Sequence, residues 1–140
     1  MKLLVICFCT TFLFGCMTTP TYSPPGLTKE NAIYLKADSE HDHGIFQAFD
    51  ERLYINNING IAAGDFFKGY PEDAYIKAGL TEVKVDYFQG KISSEGCVKF
   101  LAEKGKNYII RKKRETWKVK YWVEIESDVN TKVVNLPCSE

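Results

Sequence analysis

The sequence predicts an all-β domain, a small two-sheet β-sandwich of six to seven short strands that follows a cleaved N-terminal signal. Three observations carry the prediction. Apolar and polar residues alternate over Thr116 to Ile125, with Trp117, Val119, Tyr121, Val123 and Ile125 on one face and Lys118, Lys120 and Glu124 on the other. Turn residues recur between such runs at short intervals. Aromatic residues make up 14%, with nine Phe and eight Tyr, which suits the interior of a compact β domain.

Taken in order, Ile33 to Leu35 begins the sheet. Leu53 to Ile58 runs into Asn59 and Gly60, a pair that accepts the positive φ angles of a type I′ hairpin turn. Pro71, Glu72 and Asp73, with Lys77 and Gly79, would cap a short helix, but Tyr75 to Ala78 reads slightly better as a strand entering a turn at Gly79. Val83, Val85 and Tyr87 alternate with Lys84 and Asp86. Val98, Phe100 and Ala102 form a further strand, and Tyr108 and Ile110 begin another after the turn at Glu103 to Lys106. Thr116 to Ile125 follows, and Val133 to Leu136 would finish the sheet after a turn through Asp128, Asn130 and Thr131.

This order resembles the PEGA-like or transthyretin-like sandwich domains of small bacterial lipoproteins. The resemblance lies in the hairpin at Ile55 to Gly60, in Ile76, Lys77, Ala78, Gly79 and Leu80 leading into Val83 and Val85, and in the step from Gly105 to Tyr108. It covers about residues 30 to 136 and implies an envelope accessory or interaction module. It brings no catalytic residues.

The N-terminus supplies an address. Lys2 precedes an apolar run from Leu3 to Phe14, and Leu13, Phe14, Gly15 and Cys16 close it. The run is too short for a membrane-spanning helix, which needs about 20 apolar residues. The pattern resembles the lipobox of bacterial lipoproteins, in which the chain is cut before a cysteine that is then acylated. That resemblance implies a signal peptide over 1–15, a lipidated Cys16 and a membrane anchor, since several acyl chains hold firmly. Met17 in place of Asp then implies an outer-membrane location facing the periplasm. Residues 16–28, rich in Pro and Thr, read as a tether that holds the domain (29–140) clear of the headgroups.

Composition narrows the partners. Without residues 1–15, which carry Lys2 alone among the charged residues, 17 basic and 18 acidic residues leave a net charge near −1. Nucleic acid is therefore not expected as a partner. Of five cysteines, Cys7 and Cys9 leave with the signal and Cys16 carries lipid, so Cys97 and Cys138 remain. In an oxidising compartment the pair reads as one disulfide, worth roughly 4 kcal/mol on the chain-entropy model. Two free thiols or half of a metal site are the alternatives.

No cluster announces catalysis, and no cofactor is expected. His41 and His43 stand among Asp38, Glu40 and Asp42, a weak candidate for a metal or small-ligand loop, against the plainer reading of a solvated loop. Arg111, Lys112, Lys113 and Arg114 form the strongest basic concentration and, gathered near a hairpin tip, would meet lipid phosphates or an acidic partner. Alternatively they keep an edge strand soluble. Phe66, Phe67 and Tyr70 crowd a glycine-bounded loop suited to a protein or glycan surface, although core filling explains them as easily. Trp122, off the main apolar stripe, either lies under another element or is a contact residue. The expected function is that of a non-enzymatic envelope lipoprotein with a binding or structural role. A ligand-binding periplasmic protein and an inhibitor of an exogenous hydrolase are the alternatives.

Overall fold

The computed structural model describes residues 21–28, 30–42, 44–128 and 131–139, so the signal segment, Cys16 and His43 lie outside the described residues. Among the described residues eight strands form two four-stranded sheets, where six or seven strands were expected: β1 Ile33–Ala37, β2 Arg52–Ile58, β3 Ile61–Ala62, β4 Asp73–Ile76, β5 Gly79–Gln89, β6 Ile92–Ala102, β7 Tyr108–Glu115 and β8 Lys118–Ile125. One sheet has the order β4-β1-β7-β8, the other β3-β2-β5-β6. All pairs are antiparallel except β1 with β7, whose connection runs through the whole second sheet.

The alternation written in the sequence is what closes the two sheets on one core. Ile33 and Leu35 of β1, Val83, Val85 and Tyr87 of β5, Val98 and Phe100 of β6, and Tyr108 and Ile110 of β7 are all buried in one cluster. Strand β2 departs from strict alternation. A register shift between Ile55 and Asn57 turns Ile58 inward after Leu53 and Ile55, leaving Asn56 free to donate to the Asp86 carboxylate at 2.6 Å. Asn59 and Gly60 then turn the chain with φ of 51° and 84°. The step into β7 is fixed by Tyr108, whose hydroxyl accepts the Glu103 amide at 2.9 Å while its ring packs 5.0 Å from that of Phe100 in the other sheet.

Of Tyr75 to Ala78, expected as a strand entering a turn at Gly79, only Tyr75 and Ile76 are strand: β4 starts earlier and pairs with β1 from Lys36↔Asp73 to Ile33↔Ile76, the chain turns at Lys77 and Ala78, and Gly79 already opens β5. Three other expectations need correction. Trp117 is not on the core face. Thr116 turns at φ 50° between the paired residues Glu115 and Lys118, so the chain leaves the sheet and Trp117 is 93% exposed. Val133 to Leu136 forms a strap instead of a strand: Val133 donates to the Val123 carbonyl at 2.8 Å and Leu136 to that of Lys99 at 2.7 Å, so the segment crosses from β8 to β6. The Pro/Thr-rich stretch is not free along its length. Tyr22 lies parallel to β4, donating to Asp73 at 3.2 Å and accepting from Tyr75 at 2.8 Å, and packs against the core.

Cys97 on β6 and Cys138 at the end of the strap are joined by a disulfide, with Cα atoms 6.4 Å apart. Beyond it, the Glu82 carboxylate accepts both the amide and the hydroxyl of Ser139 at 3.0 Å and pairs with Lys99 at 3.1 Å. These donors, led by the Ser139 amide, hold Glu82 down at about 2.

Candidate functional site

The basic run lies in the second half of β7, and the period of the strand divides it between two faces. Arg111 faces outward and is engaged twice, by Asp38 at 3.3 Å and by Glu124 at 3.0 Å. Its cross-strand neighbour Trp122 donates Nε1–H to the other Glu124 oxygen at 2.7 Å, and Lys132 stands 5.0 Å over the indole ring. The Trp122 hydrogen bond is the largest of the influences that keep the buried Glu124 below the ordinary carboxylate range, with Arg111 adding to it. Trp122 thus lies under the chain that follows β8.

Lys112 points inward. Its side chain is only 3% exposed, and its ammonium donates to the Asp38 carbonyl and lies 3.8 Å from Glu51. Glu51 accepts the Tyr87 hydroxyl at 3.0 Å, and Arg114 donates to Gln89 at 2.7 Å beside the same hydroxyl. Burial, then the Glu51 carboxylate, pushes Tyr87 up to about 12. Lys112, Glu51, Tyr87, Gln89 and Arg114 therefore form a polar layer that closes one end of the core. Of the four cations, Lys113 and Arg114 are exposed and in no ion pair among the described residues, Arg114 being held by Gln89 instead.

His41 is drawn to the opposite edge. Its Nε2 is 2.7 Å from Glu72, and Arg52 approaches Nδ1 while donating to the other Glu72 oxygen at 2.9 Å. A neutral ring carrying its proton on Nε2 satisfies both neighbours. Asp38, a neighbour in sequence, faces Arg111. Among the described residues, no group of three or more His, Cys, Asp or Glu side chains could hold a metal.

Two surfaces stand out in the structure. Asp65 folds the 64–69 loop into a tight turn, accepting Phe67 and Lys68 amides on its carboxylate at 2.9 and 2.8 Å and the Gly69 amide on its carbonyl at 2.8 Å. A Cβ at Gly64 would sit 2.3 Å from the Gly69 oxygen, so this close approach requires glycine. The turn holds Phe66 and Phe67, 89% and 95% exposed, with their rings edge-on at 5.7 Å. The glycine boundaries marked this loop in the sequence; the exposure of its rings did not follow from them.

The second surface was not legible beforehand. A groove of 640 Å³ opens beside the docked N-terminal segment, lined by Thr21, Ser23, Thr28, Tyr34, Tyr75 and Asn107. Tyr34 and Tyr75 are cross-strand partners with rings 5.6 Å apart. The Tyr34 hydroxyl donates to Asp73 at 2.9 Å; burial, then that carboxylate, pushes it up to about 12. Half of the lining comes from residues 21–28, which the sequence presents as a spacer.

Fold and surfaces together define a small, disulfide-closed all-β protein that displays aromatic side chains on a hydrogen-bonded turn. Comparisons with protein-family models, with curated proteins and with solved structures return no match. No helix among the described residues is long and apolar enough to cross a membrane.

Proposed function

We propose that this chain is a lipid-anchored envelope protein, held through Cys16 and facing the periplasm from the outer membrane, that works without catalysis as a binding or structural accessory module. The observation that carries the binding role is the Asp65–Gly69 turn: two neighbouring Phe side chains almost wholly in water, on a backbone fixed by three hydrogen bonds. Exposed apolar pairs on a rigid turn are costly unless another surface receives them. The disulfide supports an oxidising, exported location. The Asn59-Gly60 hairpin and the Gly105-to-Tyr108 step within two four-stranded sheets support the PEGA-like or transthyretin-like reading.

In-cell cross-linking with a photoreactive residue at Phe67, with Cys16→Ala as control, tests the proposal. It expects one abundant envelope protein that is lost from the unanchored form. Bulk membrane protein alone, captured equally by both forms, would count against a protein partner. A second reading, a glycan ligand, is favoured by the groove, where two tyrosine rings stand beside hydroxyls and an amide as stacking and hydrogen-bonding groups for a sugar.

A further inference from the structure

We infer that the end of the sandwich formed by the Gly44–Phe49 3-10 segment and the β5–β6 and β7–β8 turns is a docking surface for an anionic phospholipid bilayer, the membrane that Cys16 is attached to. The inference rests on the lipid-anchor reading and deepens it by naming the face of the domain that meets the membrane.

Chain direction is the first argument. Tyr22 is bridged to Ala74 in parallel, and β4 runs antiparallel to β1. The chain therefore passes Tyr22 heading away from the end where β1 leads into the 3-10 segment, so Thr21 stands on the side of Tyr22 that faces that end. Cys16 is six residues earlier, which even fully extended spans only about 20 Å. Tyr22 is level with Leu35 and hence with Tyr108, and from there β7 advances about 23 Å to Glu115 at the hairpin tip. The six-residue span from Cys16 to Tyr22 is thus, even at full extension, no longer than the projection of the β7–β8 hairpin. A spacer that short cannot hold the domain clear of the headgroups.

What that end displays is the second argument. Ile45 is 92% exposed, Phe46 and Phe49 are exposed beside it, and Trp117 stands out at the β7–β8 tip. These parts are tied together, since Gln89 donates to the Phe49 carbonyl at 3.3 Å and accepts from Arg114. Aromatic and branched side chains on a membrane-proximal surface are the groups that seat in the headgroup layer. Trp117 is held there by Thr116, a β-branched residue at φ 50°, a conformation such residues rarely adopt.

Charge agrees. Lys91, Lys113 and Lys118 are exposed at the same end and belong to no ion pair among the described residues. Most carboxylates nearby are engaged, Asp38 by Arg111, Glu51 by Lys112 and Glu115 by Lys120, which leaves Asp42 and, further back on β6, Glu95 as exposed exceptions. Anionic lipid would complement this surface.

The two tryptophans supply the test. Trp117 is at the tip, and Trp122, opposite Arg111, is about 13 Å back along the strand. The full chain is processed in cells, purified in detergent and reconstituted into vesicles of phosphatidylethanolamine and phosphatidylglycerol with brominated acyl chains, with no other protein present. Trp122→Phe, which leaves Trp117 as reporter, should be quenched severalfold more than Trp117→Phe, and replacing Lys91, Lys113 and Lys118 by Gln should reduce the difference. Equally weak quenching of both reporters, in a chain that floats with the vesicles and whose Cys16 carries lipid by mass, overturns the docking surface and leaves the anchor standing. A chain whose Cys16 carries no lipid overturns the anchor and this proposal with it.

Discussion

The two open sides of the sandwich are closed by different means. On one, the C-terminal strap crosses from β8 to β6 and is locked by the Cys97–Cys138 disulfide and by Glu82. On the other, Tyr22 covers the edge of β4 with two backbone hydrogen bonds and one partly buried ring. Both cover a sheet edge that would otherwise offer unpaired backbone groups. One closure is covalent and internal to the domain. The other is non-covalent, and it is the side through which a lipid at Cys16 would connect. The domain is thus fixed covalently on one side and held only by non-covalent contacts on the side where the proposed anchor would join.

The contrast is broken most severely at the disulfide. Cys97→Ser, at a bridge spanning 41 residues in sequence, should cost about 3–4 kcal/mol and lower Tm by more than ten degrees, with reductant reproducing the loss in the wild-type chain. An unchanged Tm would mean that the strap stays in place without its bond. Tyr22→Ala should cost less, about 1–2 kcal/mol, because the ring is only partly buried. Hydrogen exchange should then accelerate at the Tyr75 amide while β6 keeps its protection.

Acid sharpens the comparison from the strap side. Glu82 is depressed in the folded chain from 4.5 to about 2, so its contribution is present above pH 4.5 and lost as pH falls toward 2. Urea midpoints measured across that window should fall less steeply in Glu82→Gln than in wild type. Glu124, Asp65 and Glu115, also depressed, supply the slope that remains. The smallest effect belongs to the β7–β8 tip. Trp117→Ala should stay within about 0.5 kcal/mol of wild type, whereas Trp122→Ala, which strands Glu124 and Lys132, should cost about 1–2 kcal/mol. Equal losses at the two positions would place Trp117 in contact with the fold.

Much of the architecture could be read in advance because period-two alternation marks the buried face directly: Val83, Val85 and Tyr87, and Val119, Tyr121 and Val123, face the interior as their spacing demands. Asn59 and Gly60 named their own turn. Trp117 has the right parity and the wrong place, because parity says nothing about where a strand stops, and Thr116 carries no turn signature. Strand β3, two residues long, is below what any period can reveal.

The surfaces were harder to read for a physical reason. Arg111 to Arg114 look like one patch in sequence, but a strand sends neighbours to opposite faces, and their partners Asp38, Glu51 and Gln89 come from distant segments. Likewise the cluster at the 3-10 segment and Trp117 joins residues some seventy positions apart, which only the topology brings to one end. The disulfide was legible because elimination left a single pair.

The central claim is that the chain is anchored through Cys16, and the intact mass of the protein extracted from cell membranes tests it most directly. The account predicts a chain that starts at Cys16 and carries the added mass of a diacylglyceryl group and an N-terminal acyl chain, absent from Cys16→Ala. A chain in the soluble fraction with Cys16 unmodified would contradict it.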